Sequence, residues 1–388
     1  MNTIAIVGAS LAGVSSARAL RERGFDGNIV VIGDEPHRPY DRPPLSKDFL
    51  AGAISEADLA LVTSDDADLD LDWRLGHRAE ALDPALRSVV LDSGERIVTD
   101  GVVLATGARA RLLPGRTVPG VHTLRTLDDA VALRAELVPG AHLVVIGGGF
   151  IGAEVASTAR TLGLTVTVVE QLPVPMAGPL GAELGQVCAQ LHGDHGVQLI
   201  TGTGVADLAG TDRVRSVLLT DGRELPADVV VVGVGAVPNT EWLAGSGIEL
   251  TRGVRTDARC ATNIPSVVAA GDCAVADNPY AGRAVRLEHW TNALEQPATA
   301  AATLLGHEHT ANPRAPYFWS DQYGARLQFA GHHRDGDHIE IVEGDPAARR
   351  FTAVYRRADR AVAVFAMNQP KIFGRWRREL TAAVVLSG

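Results

Sequence analysis

Short apolar runs rich in β-branched residues recur along the chain, and each stops at a glycine or an acid: TIAIVG at 3–8, NIVVIGDE at 28–35, HLVVIGGG at 142–149 and LTVTVVE at 164–170. Runs of this length without polar alternation predict strands buried on both faces. Between the first two lies VSSARALRERG, where Val14, Ala17 and Leu20 recur at helical spacing. Strand, helix, strand is therefore written twice, the order that builds parallel sheets. GVVLATGARA (101–110) and DVVVVGVGAVPN (228–239) are further buried-type strands ending in glycine turns. Each follows a segment patterned as a β-meander, 79–100 and 205–228. Later, TNIPSVVAAGDCA is a strand delivering Asp272 to a glycine turn, and TNALEQPATAAATLLG is helical, with Thr291 or Asn292 near its N-cap.

The glycines give these units a chemistry. In the first, Gly8 makes the tight turn and Gly13 lets the helix pack on the strand, while Ser10 stands where the middle glycine of a dinucleotide fingerprint belongs. The second is complete, with Gly147, Gly149 and Gly152 in all three positions and Glu170 closing the unit. A helix N-terminus behind such a turn faces a pyrophosphate. An acid at the strand end accepts the ribose hydroxyls and repels a 2'-phosphate, and no Arg or Lys follows in QLPVPMAGPLG. The expected donor is NADH rather than NADPH.

Composition narrows the class. Acidic residues outnumber Lys plus Arg by 46 to 36, a formal net charge of -10, which argues against nucleic acid as the main partner. At 388 residues two or three domains are expected. Cys188, Cys260 and Cys273 form neither a CxxC pair nor a metal cluster and read as buried core residues. The first strand starts almost at Met1 and no run is long enough to span a membrane, so a cytoplasmic protein is expected, with no metal site.

Taken together, GASLAG, ATGA, GGGFIGAE, GVGAVPN and AAGD resemble the two-dinucleotide-domain flavoproteins of the disulfide reductase superfamily. RPYDRPPLSKDFL, RTLDDA, EHWTNALEQ and YFWSDQY narrow the resemblance to the NADH-dependent ferredoxin and rubredoxin reductases of oxygenase systems. It extends over nearly the whole chain. The implied fold is α/β and glutathione-reductase-like: a discontinuous FAD domain over 1–106 and 226–308, an NAD domain over 107–225, and a small α/β C-terminal domain over 309–388. For FAD the resemblance implies Gly8, Ser10, Leu11, Ala12 and Gly13 at the pyrophosphate, and Asp34 at the adenosine ribose with Glu35 as competitor. It adds Arg42, Lys47, Ala79 by its backbone at the adenine, Ala105, Thr106, Gly107, Arg125, Gly271, Asp272 at the ribityl chain, and Trp290 along the isoalloxazine. For NAD it implies Gly147, Gly149, Phe150, Ile151, Gly152, Glu154, Glu170 and Gly235, with Phe150 as a gating ring.

The same resemblance implies that Lys47 pairs with Glu154 beside the reacting edge of the flavin, as the catalytic pair. No cysteine occurs in EPHRPYDRPPLSKDF, where disulfide reductases carry C-x4-C, so electrons leave without a thiol relay. The implied acceptor is a small acidic [2Fe-2S] ferredoxin serving a cytochrome P450 or Rieske oxygenase. Trp319 is the implied electron exit, with Arg283, Arg286, Arg314, Arg326, Arg375, Arg377 and Arg378 as candidate docking cations. Two other readings stand beside it: an NADH oxidase that reduces oxygen directly, and an NADH-responsive interaction protein resembling apoptosis-inducing factor.

Overall fold

The computed structural model describes residues 1–115, 118–308 and 314–385. Among the described residues the α-helices are α1 (Leu11–Glu22), α2 (Leu127–Glu136), α3 (Phe150–Thr161), α4 (Ala177–Asp194), α5 (Trp290–Leu304) and α6 (Pro370–Val385). The buried runs build two five-stranded parallel sheets. The first is ordered Val267–Ala269, Gly101–Leu104, Thr3–Val7, Asn28–Gly33, Leu71–Leu75. The second is ordered Gln198–Thr201, Thr165–Glu170, His142–Ile146, Val229–Val232, Val121–His122. Val229–Val232 thus belongs to the second sheet, where its four fully apolar residues fill a position beside His142–Ile146. The boundary expected at residue 226 falls one strand too early. The boundary expected at residue 309 lies outside the described residues.

Both expected meanders are present as three-stranded antiparallel sheets, Ala79–Asp83, Ser88–Leu91, Arg96–Val98 and Val205–Ala209, Ser216–Leu219, Glu224–Pro226. The glycine turns work as the spacing requires. A Cβ on Gly8 would sit 2.0 Å from the Ala105 carbonyl oxygen, and one on Gly13 would sit 1.9 Å from that of Gly8. Gly147 and Gly152 repeat these approaches at 2.3 Å to Gly233 and 2.2 Å to Gly147. No L side chain fits at these points, which lets α1 and α3 start directly over their strands. On α1, Val14, Ala17 and Leu20 all face the core without exposure, as their spacing predicts.

The C-terminal sheet is antiparallel, ordered Tyr317–Gln322, Ala325–Gly331, Arg360–Met367, Arg350–Arg357, His338–Asp345. Both faces are covered. Phe373 and Leu380 of α6 close one side over Val354 and Val364. Phe351, Tyr355 and Phe365 pack on the other against Ala153 of α3 and Leu184 and Cys188 of α4. Strand Tyr317–Gln322 is held beside α3, which positions the site. No described helix is long and apolar enough to cross a membrane.

Candidate active site

Both dinucleotide helices begin without a side-chain cap. Ser10 precedes α1 with extended backbone and makes no capping bond, and Gly149 precedes α3. Their first-turn amides therefore present unneutralised partial positive charge, the arrangement that receives a pyrophosphate. Nothing lies within 4 Å of where a Cβ on Gly149 or Gly235 would point, so the backbone there is open to close approach. Ile151, just inside α3, is 45 % exposed beside that opening. Glu170 is braced at the strand end, accepting the Gly148 and Leu172 amides at 2.8 Å each.

The first half-site is not a copy of the second. Val7 registers with Ile32 and Ile146 with Val169, so the counterpart of Glu170 is Gly33, and the two acids come one and two residues later. The reason is steric: a Cβ on Gly33 would meet that of Ala9 at 2.6 Å. Asp34 is exposed at the strand end. Glu35 accepts from Arg42 Nη2 at 2.6 Å and from the Tyr40 hydroxyl. Arg42 Nε also donates to Ser10 Oγ at 3.3 Å, and its Nη1 to the Arg125 carbonyl at 2.5 Å. Arg125 Nη2 in turn donates to Asp272 Oδ2 at 2.7 Å. Ser10, Glu35, Arg42, Arg125 and Asp272, far apart in the sequence, form one continuous chain of bonds.

The neighbouring backbone is fixed from several sides. Leu11 and Ala12 are buried at the start of α1, and a Cβ on Gly271 would approach that of Ala12 to 3.0 Å. Ala79 is buried, and two residues earlier the His77 amide donates to the Gly33 carbonyl at 3.0 Å, so this segment runs beside the acid-bearing strand end. After Ala105 the chain crosses toward Gly235: Thr106 Oγ1 donates to the Asn239 carbonyl at 2.7 Å, and the Asn239 amide donates to Gly107 at 3.0 Å.

Lys47 ends a short 3-10 turn, Pro43–Ser46, whose prolines fix the approach of the loop. Its ammonium donates to Glu154 Oε2 at 2.8 Å, and the expected pair is formed. The carboxylate, 6 % exposed at the residue level, receives more than Lys47. Ser46 Oγ reaches the same oxygen at 2.5 Å; Ser320 Oγ reaches Oε1 at 2.7 Å, and the Asp321 amide at 3.3 Å. A buried carboxylate is tolerable only with its lone pairs met, and here four donors meet them. Glu154 comes from the second unit, Lys47 and Ser46 from the first, and Ser320 from the C-terminal sheet.

A set of aromatic rings lies on and beside the elements that carry these donors. Phe150 lies 4.8 Å from Phe318, which lies 5.1 Å from His289. Trp290, the first residue of α5, donates from its indole to Asp41 Oδ1 at 2.7 Å and meets Trp319 edge-on at 5.8 Å. Tyr317 stacks on Trp319 at 6.0 Å, with Arg377 4.2 Å above its own ring. Burial lowers His289 to about 4 and raises the carboxyl of Asp41, so the imidazole is neutral at pH 7. Burial also pushes the thiols of Cys188 and Cys260 up to about 12, and raises Cys273, so none supplies a thiolate.

Several candidate docking cations are already neutralised. Arg286 pairs with Glu288 at 2.5 Å, Arg314 with Glu295 at 3.1 Å, Arg326 with Asp321 at 3.4 Å and Arg375 with Glu379 at 3.7 Å. Arg377 is engaged with Tyr317, and Arg283 lies against His332. Arg378 is on the same helix as Arg375 and Arg377. The contributors that sequence reasoning did not single out are Tyr40, Asp41, Ser46, His289, Gln296, Phe318 and Ser320. All lie inside segments that resemble the reductases. Gln296 takes the Gly271 amide at 2.8 Å, a bond no spacing rule reveals.

Two open, uncapped helix starts, each with a carboxylate at the adjoining strand end, suit two dinucleotides, and the buried Lys–Glu pair with its aromatic wall suits a redox ring between them. These features define an FAD- and pyridine-nucleotide-dependent oxidoreductase. The chain belongs to the pyridine nucleotide-disulphide oxidoreductase family, whose model matches residues 2–297, and residues 317–387 match the reductase C-terminal family. It is 40 % identical over 376 residues to the biphenyl dioxygenase system ferredoxin–NAD(+) reductase component of Paraburkholderia xenovorans, covering 96 % of this chain and 91 % of the relative. Rhodocoxin reductase of Rhodococcus erythropolis is 39 % identical, with 95 % and 87 % covered. Among solved structures, the covalent putidaredoxin reductase–putidaredoxin complex matches with a TM-score of 0.93 at 36 % identity, covering 98 % of this chain and 93 % of that one.

Proposed function

We propose that this protein is an NADH:ferredoxin oxidoreductase that holds FAD in its first unit, takes electrons from NADH at its second, and delivers them singly to a small [2Fe-2S] ferredoxin serving a P450 or Rieske-type oxygenase. The observation that supports this is the buried Lys47–Glu154 pair, whose carboxylate also takes the hydroxyl of Ser320, the neighbour of Trp319 in the C-terminal sheet, while all three thiols are buried and free. Bound FAD supplies the chemistry that accepts two electrons together and releases them one at a time.

The chain's residues supply the rest. Ser10, Leu11, Ala12 and Gly13 offer the amides that hold one pyrophosphate, and Gly149 to Gly152 those that hold the other. Arg42 and Arg125 keep Glu35 and Asp272 fixed as acceptors for hydroxyl groups, with Asp34 at the solvent side. The Lys47 ammonium places positive charge where electron density arrives, in a site of low dielectric where it counts most. Phe150 and Phe318 keep water from that space. Trp319 lines the route outward. A cytoplasmic setting, where NADH is regenerated and thiols remain reduced, suits three free cysteines.

The test is a steady-state assay of the FAD-loaded protein with NADH, a panel of small [2Fe-2S] ferredoxins, and cytochrome c as terminal acceptor, with oxygen uptake followed in parallel. Cytochrome c reduction should rise with ferredoxin and saturate. If oxygen uptake accounts for all NADH consumed and no ferredoxin alters the rate, the protein is an oxidase instead.

A further inference from the structure

Three parts of the chain meet at the carboxylate of Glu154, and the direction of two of its bonds is set by groups one step further out. A hydroxyl has one proton to give. Ser320 Oγ gives it to Glu154 Oε1 at 2.7 Å, and it is made to do so because the side-chain nitrogen of Gln322, which can only donate, holds the Ser320 oxygen at 3.0 Å. Turning the Gln322 amide over would set its oxygen against Ser320, and one proton would then be divided between two acceptors. Ser46 repeats the arrangement on the other side. The Lys47 ammonium lies 3.3 Å from Ser46 Oγ, whose proton goes to Glu154 Oε2 at 2.5 Å. Both hydroxyls are committed as donors, so the carboxylate between them has to accept.

Gln322 is a costly residue to keep where it stands. It is 1 % exposed and lies two residues after Ser320 on strand Tyr317–Gln322, so the two side chains share one face of the sheet. Its Oε1 is buried with no partner among the described residues, while Nε2 makes the bond to Ser320. A buried acceptor left unmet costs free energy, and a methionine of similar volume would fill the space without that cost. What methionine cannot supply is the N–H. From Gln322 through Ser320 to Glu154 every proton points the same way, each bond polarises the next, and the line ends on the Lys47 ammonium.

We propose that Gln322 is a positioning residue for the Lys47–Glu154 pair: through Ser320 it fixes Oε1 of Glu154, which keeps Oε2 turned to Lys47 and the ammonium fixed in direction. Without that donor line the carboxylate is free to rotate and draw the ammonium with it. The inference rests on reading Lys47 and Glu154 as the catalytic pair, and Gln322 acts only through the residues between.

The test is stopped-flow reduction of the FAD-loaded Gln322→Met protein over a range of NADH concentrations, with thermal midpoint and FAD content measured on the same sample. The limiting rate of flavin reduction should fall about three- to tenfold, while the dissociation constant for NADH stays within about twofold and the thermal midpoint does not fall. Gln328→Met is the control. Gln328 has the same buried and unmet Oε1 but gives its Nε2 to the Tyr317 hydroxyl at 3.1 Å, so its loss should leave the limiting rate as it was. On a Lys47→Ala background Gln322→Met should add nothing, because the group it positions is gone. An unchanged limiting rate overturns the proposal, and so does a loss that comes with a lowered thermal midpoint or lost FAD, or that persists in full without Lys47. If Lys47→Ala alone fails to slow reduction, the reading of the catalytic pair falls; if it slows reduction and Gln322→Met does not, the pair stands and the role of Gln322 alone is refuted.

Discussion

Glu170 and Glu154 are sixteen residues apart, yet they answer to different physics. Glu170 is braced by two amides at a strand end, the position from which a carboxylate can meet a nucleotide ribose. Replacing it with Arg should lower the NADH to NADPH ratio of kcat/KM by on the order of 10- to 100-fold, because repulsion of a 2'-phosphate becomes attraction. An unchanged ratio would remove Glu170 from nucleotide selection. Glu154 is buried and depends on its donors. Lys47→Ala should slow flavin reduction in stopped-flow experiments by on the order of 10²-fold and lower the thermal midpoint, since it leaves a buried carboxylate short of its cation. Ser320→Ala removes one neutral donor and should cost about 1 to 2 kcal/mol in denaturant unfolding, with Ser320→Thr restoring most of it. Glycine spacing made Glu170 legible from the sequence alone, and resemblance supplied the Lys47–Glu154 pair. Ser46 and Ser320 were not legible, because a serine hydroxyl acquires meaning only when folding brings 46, 154 and 320 to one point.

At the scale of elements, the buried strands and the helix carrying Val14, Ala17 and Leu20 could be read because fully apolar runs and 3.6-residue spacing are local signals. Register was less accessible. That Gly33, rather than Asp34, matches Glu170 depends on the contact of Gly33 with Ala9, a non-local fact. Nor did patterning show that strand Tyr317–Gln322 is pinned at both ends of its path past α3. Ser320 bonds Glu154, and Tyr323 in the following turn inserts between α3 and α4: its amide donates to Ser157 Oγ at 2.7 Å, its hydroxyl meets His192 Nδ1 at 2.7 Å, and His195 stacks on its ring at 4.7 Å. Tyr323→Ala should destabilise the protein by about 3 kcal/mol in denaturant unfolding, through lost packing and a stranded imidazole. Because Trp319 rides on the same strand, the variant should also slow ferredoxin-dependent cytochrome c reduction while leaving ferricyanide reduction near its original rate.

For the whole molecule, pH acts first through the buried imidazoles. His192 is fully buried, and its pKa falls to about 4 from 6.5 because burial disfavours the charged form. The unfolded chain therefore binds a proton that the folded one refuses between pH 6.5 and 4. Stability must fall as pH is lowered through that window, by about 3 kcal/mol from this residue once pH 4 is reached. Carboxylates held low by arginine partners, such as Asp66 with Arg18 and Asp337 with Arg357, lose their contribution only below the ordinary carboxylate range. Thermal midpoints should thus decline in two stages on acidification, and His192→Gln should flatten the first. A midpoint independent of pH from 6.5 to 4.5 would contradict this.

The C-terminal sheet is more than an appendage, because the face it turns inward is also the outer wall of α3 and α4. Cutting the chain ahead of Tyr317 would leave Ala153, Met176, Leu184 and Cys188 as an oily scar open to water, and would take two donors from Glu154 in the same stroke. A minimal two-nucleotide fragment of this protein should therefore clump rather than idle.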